Sequence, residues 1–202
     1  MSTVTTTRSV SDVLAKHGTS TRATVDRIMS YWNRADERTC AAGRTWYAVA
    51  SAHVDTMSES SGVTREHAAA VIAHLSPRTT WARNISGAYA LVETRTAPGC
   101  MRANVERAIC ALDSDAPLDT IHGPKTRNFA RNILGDENAV TVDSWATLIA
   151  LGAHDDNEKV LGHAGMYDAI AHCYRLAAKR AGVSPAVMQA TTWVVARNGR
   201  AF

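Results

Sequence analysis

Along most of the chain, apolar residues recur at steps of three and four, and few stretches alternate apolar with polar as a strand exposed on one face would. The pattern predicts helices throughout. Val10 to His17 forms a short helix closed by Gly18, and Ser20 to Trp32 a second with Val25, Ile28, Met29 and Trp32 on one face. Gly43 to Met57 is a third. Thr64 caps a fourth, whose apolar face carries Ala68, Val71, Ile72 and Leu75, and Pro77 stops it because proline disfavours helical geometry in the residue before it. A polar and aromatic loop follows, Ser76-Pro77-Arg78-Thr79-Thr80-Trp81. Ala82 to Thr94 and Ala103 to Leu112 are two more helices, parted by the turn Ala97-Pro98-Gly99. Near the end, Gly165 to Ala181 places Met166, Ile170, Cys173, Tyr174 and Ala177 at helical spacing ahead of a Gly182 C-cap, and Ser184-Pro185 opens a last helix reaching Arg197.

No internal repeat and no linker rich in Gly, Pro or Ser divides these 202 residues, so residues 1–202 read as a single all-α domain with a loose lead-in at Met1 to Arg8. A hydrophobic fraction of 46% with 20% charged residues supports a packed core and excludes a long disordered chain. The formal net charge of +3 does not announce nucleic acid, but 18 of the 22 basic residues are Arg, and Lys occurs only at Lys16, Lys125, Lys159 and Lys179. That bias suits bidentate phosphate contact and equally suits a GC-rich coding sequence. Cys40, Cys100, Cys110 and Cys173 are scattered without a CxxC pair, so reduced thiols are expected rather than a zinc ribbon or an iron–sulfur loop. His67 and His74 lie seven apart and His154 adjoins Asp155 and Asp156, neither at the spacing of a metal site. No P-loop, dinucleotide-binding glycine pattern or G-x-S-x-G elbow occurs. The expectation is therefore no metal and no cofactor. Without a leader-like apolar run or a stretch of about 18 apolar residues, it extends to a cytoplasmic protein that does not enter membranes.

The stretch richest in chemistry is residues 121–146. Ile121-His122-Gly123-Pro124-Lys125-Thr126 reads as a tight turn, Arg127 to Leu134 as a helix, Gly135-Asp136-Glu137-Asn138 as a polar break and Ala139 to Val142 as a short extended segment; Asp143 then stands where another helix begins. Gly123 permits a turn whose N–H groups point outward at a helix head, a natural place for phosphate. Read on its own, Asp143 is also a good N-cap that any helix could use, and Lys125 a solvated surface lysine.

This order of parts resembles the helix-hairpin-helix (HhH-GPD) superfamily of DNA glycosylases, in which a hairpin of the form L-P-G-V-G-x-K-T leads into a helix and a V-D motif downstream supplies a catalytic aspartate. Gly123, Lys125 and Thr126 match the hairpin's end and Val142-Asp143 matches the V-D. Lys125 precedes Asp143 by 18 residues, the spacing of the catalytic Lys and Asp in endonuclease-III-like members. The sequence departs at Ile121, where the first hairpin glycine would stand, at His122 between the glycines, at Trp145 after the V-D, and in lacking an iron–sulfur cysteine cluster.

The resemblance implies a compact helical glycosylase fold and a DNA or nucleotide substrate. Asp143 would stabilise positive charge on the sugar or activate a water, and Lys125 would attack C1′ and form a Schiff base. Gly123, Thr126, Arg127 and Arg131 would hold phosphates, and Arg78, Trp81, Asn84 and Trp145 would line the pocket for an extruded base. The loop Ser76 to Trp81 and the segment Gln189-Ala190-Thr191-Thr192-Trp193 also resemble motifs of phage and actinobacterial proteins, although Trp81 and Trp193 equally suit ordinary core positions. Two other readings stay open. One is an enzyme that makes hypermodified phage bases, similar to the alpha-glutamyl or putrescinyl thymine pyrophosphorylase group; the other is a non-catalytic helical module that binds DNA or a protein.

Overall fold

The computed structural model describes residues 9–152 and 157–199. Met1 to Arg8 and the His154-Asp155-Asp156 cluster lie outside the described residues. In chain order the helices are α1 (Val10–Ala15), α2 (Thr21–Trp32), α3 (Glu37–Ser61), α4 (Arg65–Leu75), α5 (Trp81–Thr94), α6 (Arg102–Leu112), a 3-10 turn (Pro117–Thr120), α7 (Pro124–Ile133), α8 (Ser144–Leu151), α9 (Asn157–Leu161), α10 (Met166–Ala181) and α11 (Pro185–Ala196). Among the described residues there is no strand, as the periodicity predicts, and no helix is long and apolar enough to cross a membrane. Cys40, Cys100, Cys110 and Cys173 are all free thiols.

Small polar side chains start the helices as their sequence positions suggest. Ser9, Ser20, Thr64, Thr80, Asp143 and Ser184 each accept a hydrogen bond from a backbone N–H of the following first turn. Gly182, at φ 68°, takes the left-handed conformation that ends α10, and its N–H returns to the Ala178 and Lys179 carbonyls.

The described residues form two compact units, one of residues 9–43 with Val142–Gly199, the other of Arg44–Thr141. In the first unit α10 packs on α1, α2 and α11, while α8 packs on α2 and α11. Leu14, Ile28, Ile149, Met166, Ile170 and Tyr174 are its fully buried large side chains. In the second unit α4 is central, packed against α5, α6, α7 and the 3-10 turn.

The sequence reading gave no helix where α9 stands, and two further helices depart from it. Residues Ala68 to Leu75 of α4 are buried on every side, not along one stripe, because Ala69, Ala70 and Ala73 let neighbouring helices close on the other faces. The third helix starts at Glu37, six residues before Gly43. Gly43 lies inside it, where a Cβ would stand 2.6 Å from the Thr191 Cα on α11. The glycine is there to admit a neighbouring helix, not to begin one.

Candidate functional site

In the first unit the site is built around Asp143 at the head of α8. Its backbone is extended (φ −106°, ψ −173°), which turns the side chain back over the first turn, and Oδ1 accepts the Ala146 N–H at 2.7 Å. The Asp143 carbonyl accepts both the N–H and the hydroxyl of Thr147, at 2.9 and 2.8 Å. One residue earlier, the Val142 N–H donates to the Tyr167 hydroxyl at 3.2 Å, so the approach to the aspartate is pinned as well. The second carboxylate oxygen, Oδ2, accepts the indole N–H of Trp193 on α11 at 3.2 Å. The Arg197 guanidinium lies 4.1 Å from the centre of that indole, a cation–π contact one turn along the same helix.

Asp143 itself is half-buried. The fully buried Tyr174 belongs to the same neighbourhood, donating its hydroxyl to the Ala146 carbonyl at 3.4 Å. Burial drives the Tyr174 phenol far above its ordinary range, and the negative charges of Asp143 and Tyr31 push the same way against a lowering hydrogen bond with Thr192. It stays neutral and serves as a fixed hydroxyl. Trp145, in the first turn of α8, is 40% exposed, an unusual position for so large an apolar side chain.

In the second unit the predicted turn and helix form in the expected order: the 3-10 turn, Ile121 to Gly123, then α7 with Pro124 at its first position. The turn differs in construction from the one expected. Gly123 takes an ordinary extended conformation (φ −81°, ψ 134°), and a Cβ there would meet nothing closer than Thr126 Oγ1 at 3.8 Å, so no glycine-specific geometry is in use. Ile121 is buried, and its carbonyl accepts Nε and Nη2 of Arg127 at 3.2 and 2.9 Å. Arg131 grips Asp136 Oδ2 through Nε and Nη2 at 2.9 and 2.5 Å. Both arginines expected to hold phosphate thus have partners within the fold. Lys125 and Thr126 stand half-buried in the first turn of α7.

The loop before α5 carries backbone strain. Arg78 is a non-glycine residue at φ 56°, a conformation costing about 1–3 kcal/mol. Trp81 follows, half-buried as the first residue of α5, and one turn later Asn84 is 2% exposed with its Oδ1 lacking a hydrogen-bond partner. Trp46 of α3 joins these parts of the unit, its ring centre 5.1 Å from Trp81 and 5.9 Å from Phe129 of α7. His53, two turns along α3 from Trp46, lies 6.0 Å from Trp81 and contacts the Tyr89 hydroxyl through Nδ1 at 3.4 Å. Burial holds the His53 imidazole below its usual pKa. Residues 10–200 match the profile of DUF7178, a family of unknown function. The chain belongs to DUF7178. No curated protein and no solved structure matches it.

All the site residues expected from sequence fall within the DUF7178 match, divided between the units. Asp143 and Trp145 belong to the first; Gly123, Lys125, Thr126, Arg127, Arg131, Arg78, Trp81 and Asn84 belong to the second. Sequence reasoning missed two contributions. Trp46 and His53 were legible in principle, seven residues apart on one helical face, in register with Ala50 and Met57. Trp193 as the partner of Asp143 was not, since fifty residues separate them. His67 and His74 do share a face of α4, where they act as ties: His67 Nε2 meets the Ser114 carbonyl at 2.9 Å and His74 Nε2 the Thr120 hydroxyl at 2.9 Å. A surface cavity of about 710 Å³ in the second unit, bordered by Thr64, Arg65, Glu66, His67 and Asp115, contains none of the expected site residues.

Proposed function

We propose that this DUF7178 chain acts on the N-glycosidic bond of a damaged or modified base in DNA or a nucleotide, with Asp143 as its central catalytic group. The observation that carries this reading is the way Asp143 is held: half-buried, with Oδ1 on the Ala146 N–H and Oδ2 on the Trp193 indole. Breaking an N-glycosidic bond builds positive charge on the sugar, and a carboxylate whose two oxygens are already oriented can stabilise that charge or position a water without reorganising. An ordinary N-cap needs only the first of these bonds. The run of turn, α7, polar break, extended segment and capping aspartate further supports a helix-hairpin-helix glycosylase type of fold. In this reading Lys125, if its amine reaches C1′, adds Schiff-base chemistry and strand cleavage.

The test is base release from DNA carrying damaged, abasic and phage-type modified bases, with borohydride trapping in parallel. Asp143→Asn keeps an acceptor for the Ala146 N–H but turns an NH2 toward the Trp193 N–H, so it should cost about 1–2 kcal/mol of stability, while the fold survives and base release disappears. Trapping lost in Lys125→Ala identifies the lyase step. A folded wild type that neither releases a base nor is trapped on any of these substrates sinks the reading.

A second reading, a non-catalytic helical module, draws on one observation: Arg127 and Arg131 spend their guanidinium groups on Ile121 and Asp136. Under it Asp143 is a cap alone, and Asp143→Asn leaves binding to any partner unchanged.

A further inference from the structure

In the first unit α10 packs its buried side chains on α1, α2, α8 and α11. What it leaves to solvent includes one straight line, Asp168, His172, Arg175 and Lys179, spaced four, three and four residues apart and all exposed. We propose that this line is a docking surface for the phosphate backbone of duplex DNA. The inference rests on DNA being the substrate form in the Asp143 reading, and it names the surface of the same unit that grips it.

Surface arginines elsewhere in the chain are matched with acids. Arg22 meets Asp26 and Arg102 meets Glu106 four residues on, while Arg65, Arg95 and Arg131 are held by Asp55, Asp113 and Asp136. Arg175 and Lys179 also stand four apart, but as two cations, and neither side chain makes an ion pair or hydrogen bond among the described residues. Like charges at that spacing destabilise a helix, and an anion laid along them relieves the repulsion.

The helix dipole explains only the two ends of the line. Asp168 lies in the first turn of α10 and Lys179 in the last, where an acid and a base are respectively favoured. His172 and Arg175 stand in the middle of the helix, beyond the reach of that effect. Beside them Arg180 and Arg22 converge on the single carboxylate of Asp26, at 2.9 and 3.9 Å, so the flank of the line keeps a positive charge as well.

Charge complementarity selects the partner. A row of cations suits a polyanion with regularly spaced charge, whose phosphates Arg and Lys neutralise while counterions are released. An anionic membrane would need an apolar helix face to sink into it. That face of α10 is packed inside the unit, and Leu176, 37% exposed, is the one large apolar side chain the helix shows to solvent. Arg127 and Arg131, first expected to hold phosphate, are tied to Ile121 and Asp136. Arg175 and Lys179 carry no such tie.

The test measures binding of the full chain to a fluorescein-labelled, unmodified DNA duplex by anisotropy across a series of NaCl concentrations. Arg175→Gln combined with Lys179→Gln should remove about two phosphate contacts and flatten the slope of log K against log salt by about 2. Both side chains are exposed, so neither change opens the core, and circular dichroism verifies the fold. Arg95→Gln combined with Arg102→Gln makes the same change in net charge in the second unit and should leave the slope as it is. An unchanged slope in the first pair, an equal loss in both pairs, no duplex binding by the wild type, or tighter binding to phosphatidylserine vesicles than to the duplex overturns the proposal. Base release is followed separately. Duplex binding through this line without base release upholds the inference and removes the Asp143 reading; base release from free nucleotides without duplex binding does the reverse.

Discussion

At the scale of single residues, the bond that distinguishes Asp143 from a routine helix cap is the one to Trp193. The indole N–H fixes Oδ2, and Arg197 stacks on the face of the same ring, so one aromatic side chain couples a carboxylate to a guanidinium without either touching the other through it. Trp193→Phe tests this, since it keeps an aromatic ring under Arg197 while removing the N–H together with one ring of the indole. The variant should lose about 1 kcal/mol of stability for the hydrogen bond, and more for the packing of the missing ring. Urea denaturation of both proteins measures the loss, and unchanged stability would show that the indole does not hold the aspartate. Nothing in the local pattern announces this pair. Asp143 was legible because it stands before an apolar helical run, whereas its partner is set by how α8 and α11 pack.

Elements carry a second lesson, in the small residues that let helices approach. Gly43 shows it best. In an isolated helix, glycine to alanine stabilises by roughly 1 kcal/mol; here the added methyl meets the backbone of Thr191, so α3 or α11 must move. Gly43→Ala should therefore destabilise the protein, by about 1–3 kcal/mol on the scale of overpacked cores, and chemical denaturation will read the sign directly. The sequence reading took this glycine for a helix boundary because composition cannot tell a glycine that ends an element from one that admits a neighbour. The same blindness narrowed α4 to one apolar stripe: three alanines count weakly in a hydrophobic pattern, yet they are what allows burial all round. Helix starts were far more legible, since a Ser, Thr or Asp cap and a following proline act over four residues and need no tertiary partner.

For the molecule as a whole, pH exposes one cost of that all-round burial. His74, 5% exposed on α4, has its pKa lowered to about 4, chiefly by burial and further by the positive charges of Arg107 and His122. Its folded pKa lies below the unfolded value of 6.5, so the unfolded chain takes up a proton first as pH falls. Stability contributed by the neutral imidazole is complete above 6.5 and is lost between there and about 4. The loss amounts to about 3 kcal/mol between pH 7 and pH 4. Urea denaturation of wild type and His74→Gln across that range should show a steeper pH dependence for the wild type; parallel curves would mean that another group titrates.

The division of the chain sets the order in which it can be assembled. The second unit is one continuous stretch, Arg44–Thr141, whereas the first needs residues from both sides of it. During synthesis α1 and α2 leave the ribosome well before α8, α10 and α11, the helices they pack on. Closing that gap costs about 4 kcal/mol of chain entropy for a loop of roughly a hundred residues. A second unit already folded shortens the effective loop and returns part of that cost. Until then the Ile28 face of α2 waits uncovered, an apolar surface open to non-native association.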